Sequence, residues 1–181
     1  DFYLLKNNLR VLDMLNVKYI IDLNESGNIE LKINEDVMGS AWFVDEVQKV
    51  TDSNQELLGL SSIDYKKTCL STNLNNKTYP DSSENYIEIV DKRANQITYK
   101  VSSNDTGFVV FSEAFYKNGW VAKINGEVTD IHKVNYLLRG LEVEGGEHEI
   151  VFTFEPNVIK TGTLLMACLL YTSPSPRDLA V

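Results

Sequence analysis

The sequence predicts an α+β fold: a small α/β N-terminal lobe followed by an antiparallel β-sandwich. Three observations predict it. Leucines near the start of the chain recur at spacings of three and four, the period of a helix face. A nearly all-polar stretch, Asn73 to Asn85, divides the chain. Beyond it come seven short β-branched and aromatic runs broken by turn residues, the texture of a small antiparallel β-domain.

The elements follow in order. Tyr3-Leu4-Leu5, Leu9, Leu12 and Leu15 place apolar residues on one helical face, and Asn16 ends the period. Val17 to Ile21 reads as a buried strand because it is β-branched and aromatic throughout. Asn24 to Asn28 is a turn, and Ile29-Glu30-Leu31-Lys32-Ile33 alternates like a half-exposed strand. Ala41 to Val44 and Val47 to Val50 are strand-like. Ser53 with Glu56 three residues on fits a capping box for a short helix ending near Gly59. The lobe thus covers 1–72, the polar linker or loop 73–85, and the sandwich 86–156. Its strands are expected at Tyr86–Val90, Gln96–Val101, Phe108–Phe115, Trp120–Ile124, Glu127–Ile131, Tyr136–Val143 and His148–Phe154. Asn125-Gly126 signals a type I′ hairpin, and Gly145-Gly146 a second tight turn before the last strand.

The end of the chain reads differently. Cys168 to Asp178, CLLYTSPSPRD, resembles the in-frame translation of a sequencing-library adapter. The expectation is that 168–181 is a non-native tail, and that 157–167 is the start of a transmembrane helix truncated there. The chain is then an interior fragment of a longer protein.

Composition narrows the function classes. Hydrophobic residues make up 43% and charged residues 24%, which suits a folded domain rather than a disordered tail. A net charge of −9 argues against nucleic acid as a partner, because a phosphate backbone needs a basic surface. With Cys168 set aside, Cys69 stands alone and no disulfide is expected.

No phosphate loop, zinc-binding His-Glu-x-x-His pattern or nucleophile elbow is present, so no cofactor, metal or catalytic residue is expected. His148 shares parity with Ile150, Phe152 and Phe154 and reads as a residue at the rim of the core. Glu113, inside an apolar run, needs a partner, and Arg139 is the candidate for a structural ion pair or an anion clamp. Tyr116, Trp120 and Tyr136, with Arg139, are the candidate glycan or interface contacts. Aromatic faces stack on sugar rings, but a Trp in a small β-domain equally fills its core.

Several segments resemble a known family. Leu15 to Ile21, LNVKYII, is similar to a signature of the YfhO family of bacterial membrane proteins, as is Gly39 to Val44, GSAWFV, to its GNAWFV. Ser112-Glu113-Ala114-Phe115-Tyr116 with Gly119-Trp120 resembles its SExYYPGW, with Lys117-Asn118 standing where the family has one Pro. Ile124-Asn125-Gly126, Asn135 to Gly140 and Gly145 to His148 complete the order.

The resemblance implies a multi-span membrane protein related to glycosyltransferases that use polyprenyl-phosphate-linked sugars at the cell envelope. This segment would lie on the extracytoplasmic side of the bacterial cytoplasmic membrane, as a module that is not catalytic by itself. Its partners would be the remainder of its own transmembrane domain and an envelope glycan or polyprenyl-phosphate sugar. The alternative is a carbohydrate-binding or structural β-sandwich without a transferase role.

Overall fold

The computed structural model describes residues 9–24 and 27–172. The expected helix positions Tyr3, Leu4 and Leu5 lie outside them. Helix α1 (Leu9–Met14) ends where Asn16 adopts a left-handed φ of 56°, a conformation Asn tolerates at helix ends. Its Asp13 is buried and accepts hydrogen bonds from Tyr65 Oη and from Asn34 Nδ2, both at 2.7 Å.

Strands β1 (Tyr19–Leu23) and β2 (Ile29–Ile33) pair antiparallel with each other as a two-stranded hairpin. The expectation of a buried strand at Val17–Ile21 is corrected here. Among the described residues no other strand joins this pair, so Tyr19 and Ile21 remain exposed.

The body of the molecule is β-rich, with several antiparallel sheets. One sheet of five strands has the order β11 (Glu127–Thr129), β10 (Trp120–Ile124), β14 (Gly146–Phe154), β8 (Gln96–Ser103), β7 (Tyr86–Arg93). One of four strands has the order β12 (His132–Val134), β13 (Leu138–Val143), β9 (Gly107–Ala114), β3 (Ala41–Val44). Period-two alternation sends Ile97, Tyr99, Ile150 and Phe152 of the first sheet into one apolar core with Phe43, Val109, Phe111 and Leu141 of the second. Phe111, Phe152 and Tyr99 meet edge to face there, with Phe111 and Phe152 centroids 4.9 Å apart.

The opposite parity of the four-stranded sheet is covered as well. Trp42, Val44, Phe108, Val110 and Leu138 pack against Met14, Leu60, Tyr65 and Leu70. That second core is built by α1, by helix α2 (Ser53–Gly59), and by a three-stranded sheet of β5 (Thr68–Ser71), β4 (Glu46–Lys49) and β6 (Lys77–Thr78). Strand β3, from the first 72 residues, is therefore an edge strand of the sheet built by the later segment, in register Ala41↔Phe111 to Val44↔Phe108.

Three local readings change. The N-cap of α2 is Asp52, not Ser53: its Oδ1 accepts from the backbone N–H of Asn54 and Gln55. Glu56 turns inward instead of capping. Gly145-Gly146 carries the chain from the four-stranded sheet to the five-stranded one, because β13 and β14 lie in different sheets. Asn125-Gly126 does turn a hairpin between β10 and β11, with φ of 51° and 88°.

Helix α3 (Asn157–Thr172) follows β14 and continues past Ala167 into the segment read as adapter-derived; residues 173–181 lie outside those described. Its 16 residues are fewer than the roughly 20 that span a bilayer. Among the described residues no helix is long and apolar enough to cross a membrane.

Candidate functional site

Trp120 opens β10 and pairs with Phe154, the last residue of β14. It shares parity with Ala122 and Ile124, so its indole points toward the inter-sheet core, but at the open end of the strand it stays half-exposed. Phe154 packs on it with ring centroids 5.3 Å apart, and Tyr116 lies 6.4 Å from Phe154, both pairs tilted. Tyr116 is mostly exposed.

Gly119 makes this aromatic stack possible. A Cβ there would overlap the Phe154 ring and meet Tyr116 Cδ1 at 2.8 Å. Gly119→Ala is expected to push the rings apart and to cost about 1–3 kcal/mol, the usual penalty of overpacking. A urea titration checks it, and an unchanged midpoint refutes the reading.

Arg139 lies directly behind Trp120. It shares parity with the core residues Leu141 and Val143, and it is 2% exposed. Its Nε donates to the Ala114 carbonyl at 2.9 Å. Its guanidinium carbon sits 4.2 Å from the Trp120 ring centroid and 5.2 Å from that of Phe152, two cation–π contacts inside the protein. Burial pushes the guanidinium below its usual range, against the opposing charge of Glu113.

The expected Glu113–Arg139 ion pair is replaced by another. Glu113 Oε1 pairs with Lys92 Nζ at 2.7 Å, joining β9 of one sheet to β7 of the other. Lys92 is exposed and reaches over the sheet end, whereas the Arg139 fork is held by Ala114 and the aromatic rings.

Tyr116 and Trp120 line one surface cleft of about 420 Å³, with Lys117, Asp130, His132 and Lys133 on its other walls. Of the four sequence candidates, the structure thus brings Tyr116 and Trp120 to one cleft and sets Arg139 behind it as a buried support.

Tyr136 stands apart. It is not in a strand, as expected from Tyr136–Val143, but in a turn with φ of 69°, and its ring lies 5.3 Å from Lys133 Nζ. The turn is clamped by Asn135, buried, which exchanges hydrogen bonds with the Leu70 backbone at 2.8 and 2.9 Å.

Sequence reasoning missed Lys133. Its ammonium reaches Glu56 Oε2 at 3.0 Å, and Glu56 is fully buried. The approach is an ion contact without hydrogen-bond angles, and Glu56 Oε1 has no hydrogen-bond partner in the structure. A lysine outside every expected strand carries no signal of such a role in the sequence.

His148 lies at the rim, with Nδ1 2.9 Å from Asn125 Nδ2. Cys69 is buried, and burial, then the Glu56 charge, push its thiol well above its ordinary range, which favours the protonated thiol. Among the described residues no group of three or more His, Cys, Asp or Glu is arranged to hold a metal ion.

Fold and cleft together define a β-rich α+β module with an open aromatic cleft. A family model described as Bacterial membrane protein YfhO matches residues 62–166, more than half of the chain, and the chain belongs to that family of membrane proteins. The matched segment contains Tyr116, Trp120, Lys133, Tyr136 and Arg139. No curated protein and no solved structure matched the chain.

Proposed function

We propose that this chain is a non-catalytic β-sandwich module on the extracytoplasmic side of a YfhO-type membrane protein, and that it holds an envelope glycan in the Tyr116–Trp120 cleft. The whole protein, on this reading, is a glycosyltransferase that takes sugar from a polyprenyl-phosphate carrier. The module positions the acceptor beside the protein's own transmembrane domain.

One observation carries the binding reading: an indole backed by a buried guanidinium and flanked by an exposed phenol ring along an open cleft. The tilted rings of Tyr116 and Trp120 present apolar surface to a sugar, while Lys117 and Asp130 offer a donor and an acceptor to its hydroxyls. The transferase role rests on the family's resemblance to lipid-linked-sugar enzymes, and the non-catalytic assignment on a sequence without a nucleophile elbow, a phosphate loop or a zinc-binding His-Glu-x-x-His pattern.

The test is a titration of purified envelope glycans followed by tryptophan fluorescence, with buried Trp42 as a constant background. At least one glycan is expected to give a saturable change. Tyr116→Ala, an exposed position, is expected to weaken that binding up to about tenfold, the value of roughly 1.4 kcal/mol of stacking. No saturable change with any glycan overturns the binding reading, and sugar transfer by the chain alone overturns the non-catalytic one.

A further inference from the structure

The β1–β2 hairpin has two unlike faces. Its register pairs Tyr19 with Ile33, Ile21 with Leu31, and Leu23 with Ile29, which puts all of these side chains on one face. Every one is more than half exposed, from Tyr19 at 56% to Ile29 at 77%. The reverse face carries Asp22, Glu30 and Lys32, with the partly buried Ile20 opposite Lys32, and Lys32 Nζ lies 3.2 Å from Asp22. A ribbon that leaves one whole face apolar and exposed, and ion-pairs the other in solvent, is built to lie on something apolar.

Its place in the molecule says what. The single Ser112 hydroxyl proton is shared between the carbonyls of Met14 and Gly39, 2.8 and 2.7 Å from Oγ, which fixes both chain connections of the hairpin to the Ser112–Ala114 end of β9. Asn34 pins the hairpin base to Asp13 and to the Val17 carbonyl. Arg139 ties that same end, through Ala114, to Trp120, which pairs with Phe154 just before α3 begins. The hairpin and α3 therefore leave the protein from one pole. Leu165 and Met166 of α3 are also exposed there.

We propose that the apolar face of the β1–β2 hairpin rests on the lipid bilayer, as an interfacial anchor beside α3. The occupant is lipid because the family resides in membranes and because a second apolar element emerges at the same pole. Attachment is hydrophobic rather than electrostatic: none of the six residues of the docking face is charged, the one cation beside it is the Lys18 ammonium 5.8 Å from the Tyr19 ring, and the chain is acidic overall, so anionic headgroups are not needed. The proposal rests on membrane residence alone and is independent of the glycan reading.

The full chain is tested in a Cys168→Ser background, where the remaining Cys69 is buried. Leu31→Cys on the apolar face and Lys32→Cys on the reverse face are each labelled with an environment-sensitive nitrobenzoxadiazole dye. Vesicles of phosphatidylcholine alone, with and without a doxyl-labelled lipid quencher, are then added. The expected result is a blue shift at the Leu31→Cys site and roughly threefold stronger quenching than at the Lys32→Cys site, with little dependence on salt. Equal quenching at the two sites overturns the proposal, as does failure to bind vesicles. A blue shift that grows with protein concentration without vesicles overturns it in favour of a second copy of the chain.

Discussion

Lys133→Ala is expected to destabilise the fold by about 3–5 kcal/mol, because it strands a buried charge. Glu56 has no exposed surface, and the Lys133 ammonium, 3.0 Å away, is its counter-ion. The Glu56 carboxylate sits on α2 while Lys133 comes from β12, so the pair also fastens the second core to the four-stranded sheet. Removing the lysine leaves the carboxylate without either water or a cation, and the cost is that of desolvation rather than of the lost attraction. The paired replacement Glu56→Leu with Lys133→Met is expected to return most of the loss, since two apolar side chains need no partner. Urea unfolding of the four members of this double-mutant cycle measures the coupling. A Lys133→Ala protein within about 1 kcal/mol of the parent would show that the buried carboxylate has another source of compensation.

What was legible in the sequence divides along physical lines. Most strands after residue 85 are legible because alternation reports one covered face, and Ile150, Phe152 and Phe154 mark it directly; the short β12 (His132–Val134) is not. The Asn125-Gly126 turn was legible because both positions demand positive φ. Between Tyr19 and Ile33 the strand–turn–strand order is legible, but not the exposure of the first strand, whose β-branched run predicts burial. Alternating apolar residues specify a face, yet not what lies against it, and here no other strand of the described protein does. The partnership of β3 with β9 joins residues nearly seventy apart, and pairing across such a distance leaves no local mark. The same holds for the candidate site. Tyr116 and Trp120 stood out as aromatics near a Gly, but the buried Lys133–Glu56 contact and the Lys92–Glu113 bridge depend on which sheets face each other.

Arg139→Ala is expected to cost about 3–4 kcal/mol and to loosen the Trp120 cleft at the same time. Three losses add at this position. The Ala114 carbonyl loses its donor, worth about 1 kcal/mol net. The guanidinium between Trp120 and Phe152 is desolvated, where cation–π attraction reaches about 2 kcal/mol. The emptied volume at the end of the inter-sheet core adds a cavity penalty. Offsetting these, one guanidinium nitrogen, Nη1, is buried without a hydrogen-bond partner, so the native arginine is not an ideal occupant. Arg139→Met is therefore expected to be much milder than Arg139→Ala, because a long apolar side chain refills the space and leaves no buried charge. Stability follows from urea unfolding. The role in the cleft follows from comparing the two variants in the glycan titration, since Arg139 supports Trp120 from behind and does not line the cleft. If Arg139→Met restores stability and also restores glycan affinity, Arg139 acts by positioning the indole. If stability returns while affinity stays lost, the guanidinium reaches the ligand itself, and the placement of Arg139 as a buried support is wrong.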